Sequence, residues 1–287
     1  MRVLVTGAAG MLGRAVMPAL AAAGHEARGG DLPDLDVTRL EVLRTAALEF
    51  RPDWILHLAA LARVDDCESL RDEAFRVNAL GARNAALAAV DCEAAVMAIS
   101  TDYVFDGTAT TPYAEDATAA PASVYGASKW AGEQAVRAVT PRHAIVRTSW
   151  LFGPGGPNFV DTILAKARAG GPLRVVDDQR GSPTFTRDLA QGLLRVMAAE
   201  GFGTCHCTNA GECTWYDLAA HALALAGLDV PLARTDTASF PRPAHRPAYS
   251  VLSNGRFEEL TGWRMPPWRD AVRRHLEVTA ETNGRKS

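Results

Sequence analysis

Tyr125 and Lys129 stand four residues apart in Tyr125-Gly-Ala-Ser-Lys129. On a helix that spacing puts phenol and ammonium on one face. A free tyrosine titrates at about 10, too high for easy proton exchange at neutral pH, and a neighbouring cation favours the phenolate and draws the value down. The pair therefore reads as a general acid, Tyr125, with its tuning cation, Lys129. Thr101 stands 24 residues before Tyr125, at the end of an apolar run. If that run is a strand of a parallel sheet, its C-terminal end lines a ligand crevice, and the Thr101 hydroxyl can hold a carbonyl while Tyr125 donates the proton.

A second chemistry is written near the N-terminus. Gly7-Ala-Ala-Gly10-Met11-Leu12-Gly13 lies between a strand-like run and a helical one. Gly7 permits a tight turn, Gly10 lets the backbone approach a pyrophosphate, and Gly13 lets helix and strand pack closely. Free N–H groups and the positive dipole end of the helix complete a phosphate cradle. Asp31, 24 residues after Gly7, follows the second strand. A carboxylate there accepts from the adenosine ribose hydroxyls, which slightly favours NADH, while nearby Arg28 leaves NADPH open. Asp36 and Val37 are candidates to flank the adenine, or else form a plain turn before the next helix. Ala59, Ala60 and Ala62 have side chains small enough for close passage of a dinucleotide, or for ordinary tight packing. Asn78 is a candidate to order a proton-relay water, or else a capping amide.

These groups need elements to hold them. Apolar patterning predicts strands at 3–6, 26–29, 54–58, 94–100 and 144–148, separated by helices at 11–23, 40–50, 68–89 and 124–138. Such alternation implies right-handed crossovers and a Rossmann-type, doubly wound parallel sheet, an α/β class. After Trp150 come a loop at 153–157, helices at 158–169, 187–199 and 214–226, a strand at 203–208, a proline-bearing loop at 235–249 and a last helix at 268–278. Residues 279–287 are polar enough to fray. The expected division is a dinucleotide-binding domain at 1–150, to which the 203–208 strand returns, and a smaller, mainly substrate-binding domain at 151–287.

Composition narrows the field. An apolar share of 48% in 287 residues is enough for a large core. A net charge of −3 argues against a nucleic-acid partner, which needs a basic excess. No apolar run approaches the roughly 20 residues of a membrane span. The N-terminus lacks a signal-peptide pattern, and five cysteines read as reduced thiols of a cytoplasmic protein. Cys205, His206, Cys207 and Cys213 match no usual zinc spacing and read as buried side chains.

The glycine loop, the strand-end threonine and the Tyr125/Lys129 pair resemble the extended short-chain dehydrogenase/reductases. Ser100-Thr-Asp-Tyr-Val-Phe-Asp-Gly107, Arg147-Thr-Ser-Trp150, Asp178-Gln-Arg-Gly-Ser-Pro-Thr184 and His245-Arg-Pro247 narrow the resemblance to the dTDP-4-dehydrorhamnose reductases, over nearly the whole chain. The resemblance implies NAD(P)H-dependent reduction of the C4 ketone of a dTDP-4-keto-6-deoxy sugar. It places Asp102, Tyr103 and Trp150 around the sugar, with Thr101, Tyr125 and Lys129 catalytic and Lys129 also on the nicotinamide ribose. Asn158, Arg180 and Arg246 are candidates for the diphosphate, or plain surface residues. Glutamates that hold a magnesium ion between subunits in some members fall at Ala15 and Arg187, so no metal and a monomer or weak homodimer are expected. A 4,6-dehydratase resembles Thr-Asp-Glu after the fourth strand, whereas Thr101-Asp102 is followed here by Tyr103. Another keto-sugar reductase, or a regulatory subunit similar to that of methionine adenosyltransferase, are the alternatives.

Overall fold

In the computed structural model, which describes residues 1–284, the expected alternation is present. It opens with β1 (Arg2–Thr6), α1 (Gly13–Ala22), β2 (Glu26–Gly30), α2 (Leu40–Phe50) and β3 (Trp54–His57). Short helices follow as α3 (Val64–Ser69), α4 (Arg71–Phe75), a π turn at Arg76–Leu80 and α5 (Gly81–Asp91). Next come β4 (Ala95–Thr101), α6 (Val124–Val139), β5 (His143–Thr148), β6 (Leu151–Phe152), α7 (Phe159–Arg168), β7 (Leu173–Val176), β8 (Arg180–Gly181) and β9 (Thr184–Phe185). The chain closes with α8 (Thr186–Ala198), β10 (Gly203–His206), β11 (Cys213–Thr214), α9 (Trp215–Leu225), β12 (Leu232–Thr235), α10 (Gly255–Thr261) and α11 (Trp268–Gly284). No helix of the described residues is long and apolar enough to cross a membrane.

Six strands pair in parallel in the order β2-β1-β3-β4-β5-β10. The order reverses between β1 and β3, so the loops leaving their carboxyl ends diverge and leave a crevice. Alternation along the strands feeds two cores. Val3, Val5, Leu56, Met97 and Val146 pack under α1 and α8, while Leu4, Ile55, Val96 and Ile145 pack under α2, α5 and α6. Burial of both faces is why these strands read as nearly continuous apolar runs.

Three expectations change. The helix expected over 68–89 begins at Val64, breaks at Leu70 and widens into the π turn, which turns Asn78 inward. Residues after 150 divide between two cores: β10 joins the sheet beside β5, as expected of the 203–208 strand, and α8, expected in the second domain, packs on the sheet instead, whereas α7, β7, α9 and α11 bury their own cluster around Phe152, Leu164, Leu218 and Val272. The last helix continues through Gly284 where fraying was expected; the rest of that segment lies outside the described residues.

Candidate active site

The glycine loop folds as close packing demands. Gly7 has φ of +72°, and a Cβ there would lie 2.6 Å from the Ala59 nitrogen. A Cβ on Gly13 would lie 2.3 Å from the Gly7 carbonyl oxygen. No side chain caps α1, and its N-terminal end, at Gly10, Met11, Leu12 and Gly13, opens on the cavity; the next N–H groups, of Arg14 and Val16, already donate to the Gly10 and Leu12 carbonyls at 2.9 Å each. Asp31 closes β2 and accepts from the Ala9 N–H at 2.5 Å, which ties its carboxylate to this loop. Ala60 and Ala62 line the same cavity, and Ala59 packs beneath Gly7. A pyrophosphate fits a backbone cradle of this kind.

Thr101 ends β4, and Ser123 caps α6 by accepting from the Gly126 N–H at 3.1 Å. That cap sets Tyr125 and Lys129 in the first turns of α6, on one side of the cavity. Thr101 Oγ1 donates to Asp102 Oδ1 at 2.9 Å and accepts from the Tyr103 N–H at 3.2 Å. Burial pushes the Asp102 carboxyl up to about 6, against the opposing pull of the Ser250 and Thr101 hydroxyls. Tyr103 stands edge-on to Tyr125, ring centroids 5.7 Å apart. Lys129 is buried and lowered to about 8, with Glu133 one turn on pulling the other way. Glu133 is itself fixed by Ser100 Oγ at 2.6 Å and by Arg147 at 2.9 and 2.8 Å.

The expected tuning of Tyr125 is not what the structure gives. Burial raises its phenol well above the ordinary value, with the Thr101 hydrogen bond the main opposing influence. Desolvation disfavours the charged form of the phenol and of the ammonium alike. The phenol is thus held protonated at neutral pH.

From the glycine loop, one cavity of about 750 Å³ passes Thr101, Tyr125 and Lys129 and continues to Lys166, Arg174 and Arg242. Trp150, with φ of +46°, stacks face to face on Trp215 at 3.5 Å. Gly181 makes room for that indole, since a Cβ there would lie 2.4 Å from the ring. Trp215 Nε1 donates to Gln179 Oε1 at 3.0 Å, and Phe240 closes the far wall. Sequence reasoning missed Lys166, Arg174, Gln179, Trp215, Phe240 and Arg242. Two carried a signal: Lys166, as one of only three lysines, and Gln179, inside the Asp178–Thr184 segment.

Other assignments need correction. Asn78 does not line the cavity, and its amide is spent on packing: Oδ1 accepts from the Leu61 N–H at 2.8 Å, and Nδ2 donates to the Leu61 carbonyl and to Ser128 Oγ at 3.1 and 2.9 Å. It clamps the loop after β3 to α6, beside Lys129. Asn158 is the cap of α7, accepting from the Asp161 N–H at 3.0 Å and donating back to its own loop, so it has nothing left for a phosphate. Arg180 turns away from the cavity to Glu212 at 3.1 Å. The Asp36 carboxylate accepts from the Thr38 N–H and hydroxyl at 2.9 and 2.8 Å, and the buried Val37 carbonyl accepts from Asn84, contacts that either expectation for this turn allows. Arg246, by contrast, does line the cavity, as do Met11, Leu12 and Gly10. Among the described residues, no group of three or more His, Cys, Asp or Glu side chains is gathered as for a metal ion.

A family model described as the RmlD substrate binding domain matches residues 1–281. A Streptomyces antibioticus protein named as a probable dTDP-4,6-dihydroxy-2-methyloxan-3-one 4-ketoreductase is 43% identical over 282 residues, 95% of this chain and 94% of its own length. A dTDP-4-dehydrorhamnose reductase of Streptomyces griseus is 40% identical over 291 residues, 99% and 96% of the two chains. The crystal structure of a dTDP-4-dehydrorhamnose reductase from Bacillus anthracis str. Ames, in complex with NADP, is similar with a TM-score of 0.93 at 37% identity, covering 96% of this chain and 99% of that one.

Proposed function

The chain belongs to the RmlD substrate binding domain family, and from that membership we propose that it reduces the C4 ketone of dTDP-4-dehydro-β-L-rhamnose to give dTDP-L-rhamnose. The observation that carries this reading is a single cavity with a phosphate cradle at one end, the Thr101–Tyr125–Lys129 group in the middle and an aromatic, basic region at the other. A nicotinamide dinucleotide and a sugar nucleotide, entering from opposite ends, meet at Tyr125.

A reduced nicotinamide supplies the hydride when bound. The chain's own residues do the rest. Tyr125, protonated at neutral pH, gives its proton to the carbonyl oxygen as charge develops there. Lys129 stabilises the phenolate left behind. Thr101 holds the same oxygen, and a sugar hydroxyl takes the place that the Thr101 hydroxyl gives up on Asp102. Lys166, Arg174, Arg242 and Arg246 supply the positive charge for a diphosphate. The exposed face of Trp150 lies against the apolar side of the deoxysugar; its other face is taken by Trp215.

NADH is the preferred cofactor, with NADPH also used. Asp31 is fixed beside the glycine loop, and Arg28, the residue nearest to soften it toward a 2′-phosphate, pairs instead with Glu49 at 3.6 Å. The comparable identity to a probable 4-ketoreductase of another dTDP sugar keeps a second product configuration in view. Oxidation of NADH and NADPH with dTDP-4-dehydro-β-L-rhamnose, followed by NMR of the product, tests both points. The rhamno configuration and faster NADH oxidation are expected; another C4 configuration would assign a different reductase, and no turnover by protein that binds dinucleotide would overturn the reading.

A further inference from the structure

Asp65 joins two walls of the cavity without lining it. It lies in α3, next to Val64, on the wall that also carries Ala60 and Ala62. Facing it is the strap of residues 240–249, which contributes Phe240, Arg242 and Arg246 to the opposite wall. Asp65 Oδ1 lies 2.8 Å from Arg246 Nη2 and accepts from the Ala244 N–H at 3.3 Å, while Oδ2 lies 3.7 Å from Arg242 Nη1. Arg246 extends the chain of contacts, donating from Nη1 to Tyr103 Oη at 3.3 Å. Tyr103 in turn stands edge-on to Tyr125.

Among the described residues, every hydrogen bond or ion pair made by 241–247 ends on Asp65 or Tyr103. Three prolines, Pro241, Pro243 and Pro247, remove backbone donors from this stretch, so it cannot tie itself down through regular structure. One carboxylate therefore supplies most of its polar attachment. Arg246 is largely shielded from solvent, where a charge-assisted contact counts for more than on the open surface.

We infer that Asp65 is a positioning residue: it fastens the 241–247 part of the strap across the cavity and so sets Arg246 and Tyr103 for the sugar nucleotide. The inference rests on the reductase reading, because the ligand it positions for is the one proposed there. Asp65 acts through Arg246, so its removal affects sugar-nucleotide binding and leaves the dinucleotide end untouched.

The test is steady-state kinetics on the full chain with the dTDP-4-keto sugar, together with direct measurement of NADH affinity, for Asp65→Ala, Asp65→Asn, Arg246→Ala and the Asp65→Ala/Arg246→Ala double variant. Asp65→Asn keeps an acceptor for the Ala244 N–H and serves if the alanine variant does not fold. The expected result is a sugar-nucleotide KM raised about tenfold, the scale of one charge-assisted hydrogen bond, with kcat and NADH affinity within about twofold of the parent. The double variant should raise KM by less than the product of the two single effects. An unchanged KM in Asp65→Asn, effects that add in full in the double variant, or a parallel loss of NADH affinity would each overturn the inference alone. An unmodified chain that turned over no dTDP-4-keto sugar would overturn the functional reading and this inference with it.

Discussion

Asp102→Asn should stabilise the fold at neutral pH while impairing catalysis. The Asp102 carboxyl is buried, and burial raises it from 3.8 to about 6. The native protein thus binds this proton more tightly than the unfolded chain does. Stability falls as pH rises through the window from about 4 to about 6, and above it the native state carries the full penalty of an ionised buried carboxylate, about 3 kcal/mol. Asparagine removes the charge and keeps an oxygen to accept from Thr101 Oγ1, the contact now at 2.9 Å. Thermal unfolding at pH 7.5 should show Tm raised by roughly 6–10 °C, shrinking to little or nothing near pH 4, where both states of the parent are mostly protonated. Turnover should fall, since the amide cannot receive a sugar hydroxyl as a carboxylate does. An equal change in Tm at the two pH values, or a loss of stability at pH 7.5, would refute the idea of a strained, ionised carboxylate beside the reacting group.

Tyr125→Phe should leave dinucleotide affinity nearly intact and lower kcat by about 10²–10⁴-fold, measured as nicotinamide oxidation; comparable turnover would remove Tyr125 as the acid. Because burial lowers Lys129 to about 8, its charge is lost as pH rises through that value, and kcat/KM should decline on the alkaline side with a midpoint near 8; a flat profile from pH 7 to 9 would speak against an ionised Lys129. Lys166→Ala should raise the sugar-nucleotide KM while Arg180→Ala leaves it unchanged, and the reverse order would restore Arg180 to the diphosphate.

Local pattern carried a large part of this fold. The helix over 40–50 was legible to the residue because its apolar positions recur at helical spacing and bury Leu43, Ala47 and Phe50. The glycine loop and the Tyr125/Lys129 pair were legible for the same reason: their chemistry lies within one turn or one loop. The far end of the cavity was not. Lys166 comes from α7, Arg174 from β7 and Trp215 from α9, which the packing around Phe152 and Leu218 brings together, and Arg242 comes from the strap, which Asp65 of α3 holds against them. Asn158 and Arg180 stayed open in the sequence because a polar residue near a loop satisfies a cap or an ion pair as readily as a ligand, and sequence does not show which partner is nearer. Asn78 shows the same limit, its amide spent on Leu61 and Ser128 through a π turn that no periodicity announced. The effect of burial on Tyr125 is a property of the assembled core, so the phenol moved up where spacing to Lys129 alone argued down.

The central claim is that a hydride reaches sugar C4 while Tyr125 supplies the proton. The most direct test is turnover of dTDP-4-dehydro-β-L-rhamnose with NADH carrying deuterium at the transferred position, followed by NMR of the product. Deuterium should appear at C4 of the sugar in the unmodified chain, one atom per NADH oxidised, and Tyr125→Phe should slow its appearance without moving it. Deuterium retained on the dinucleotide, or a product labelled at another carbon, would contradict the account.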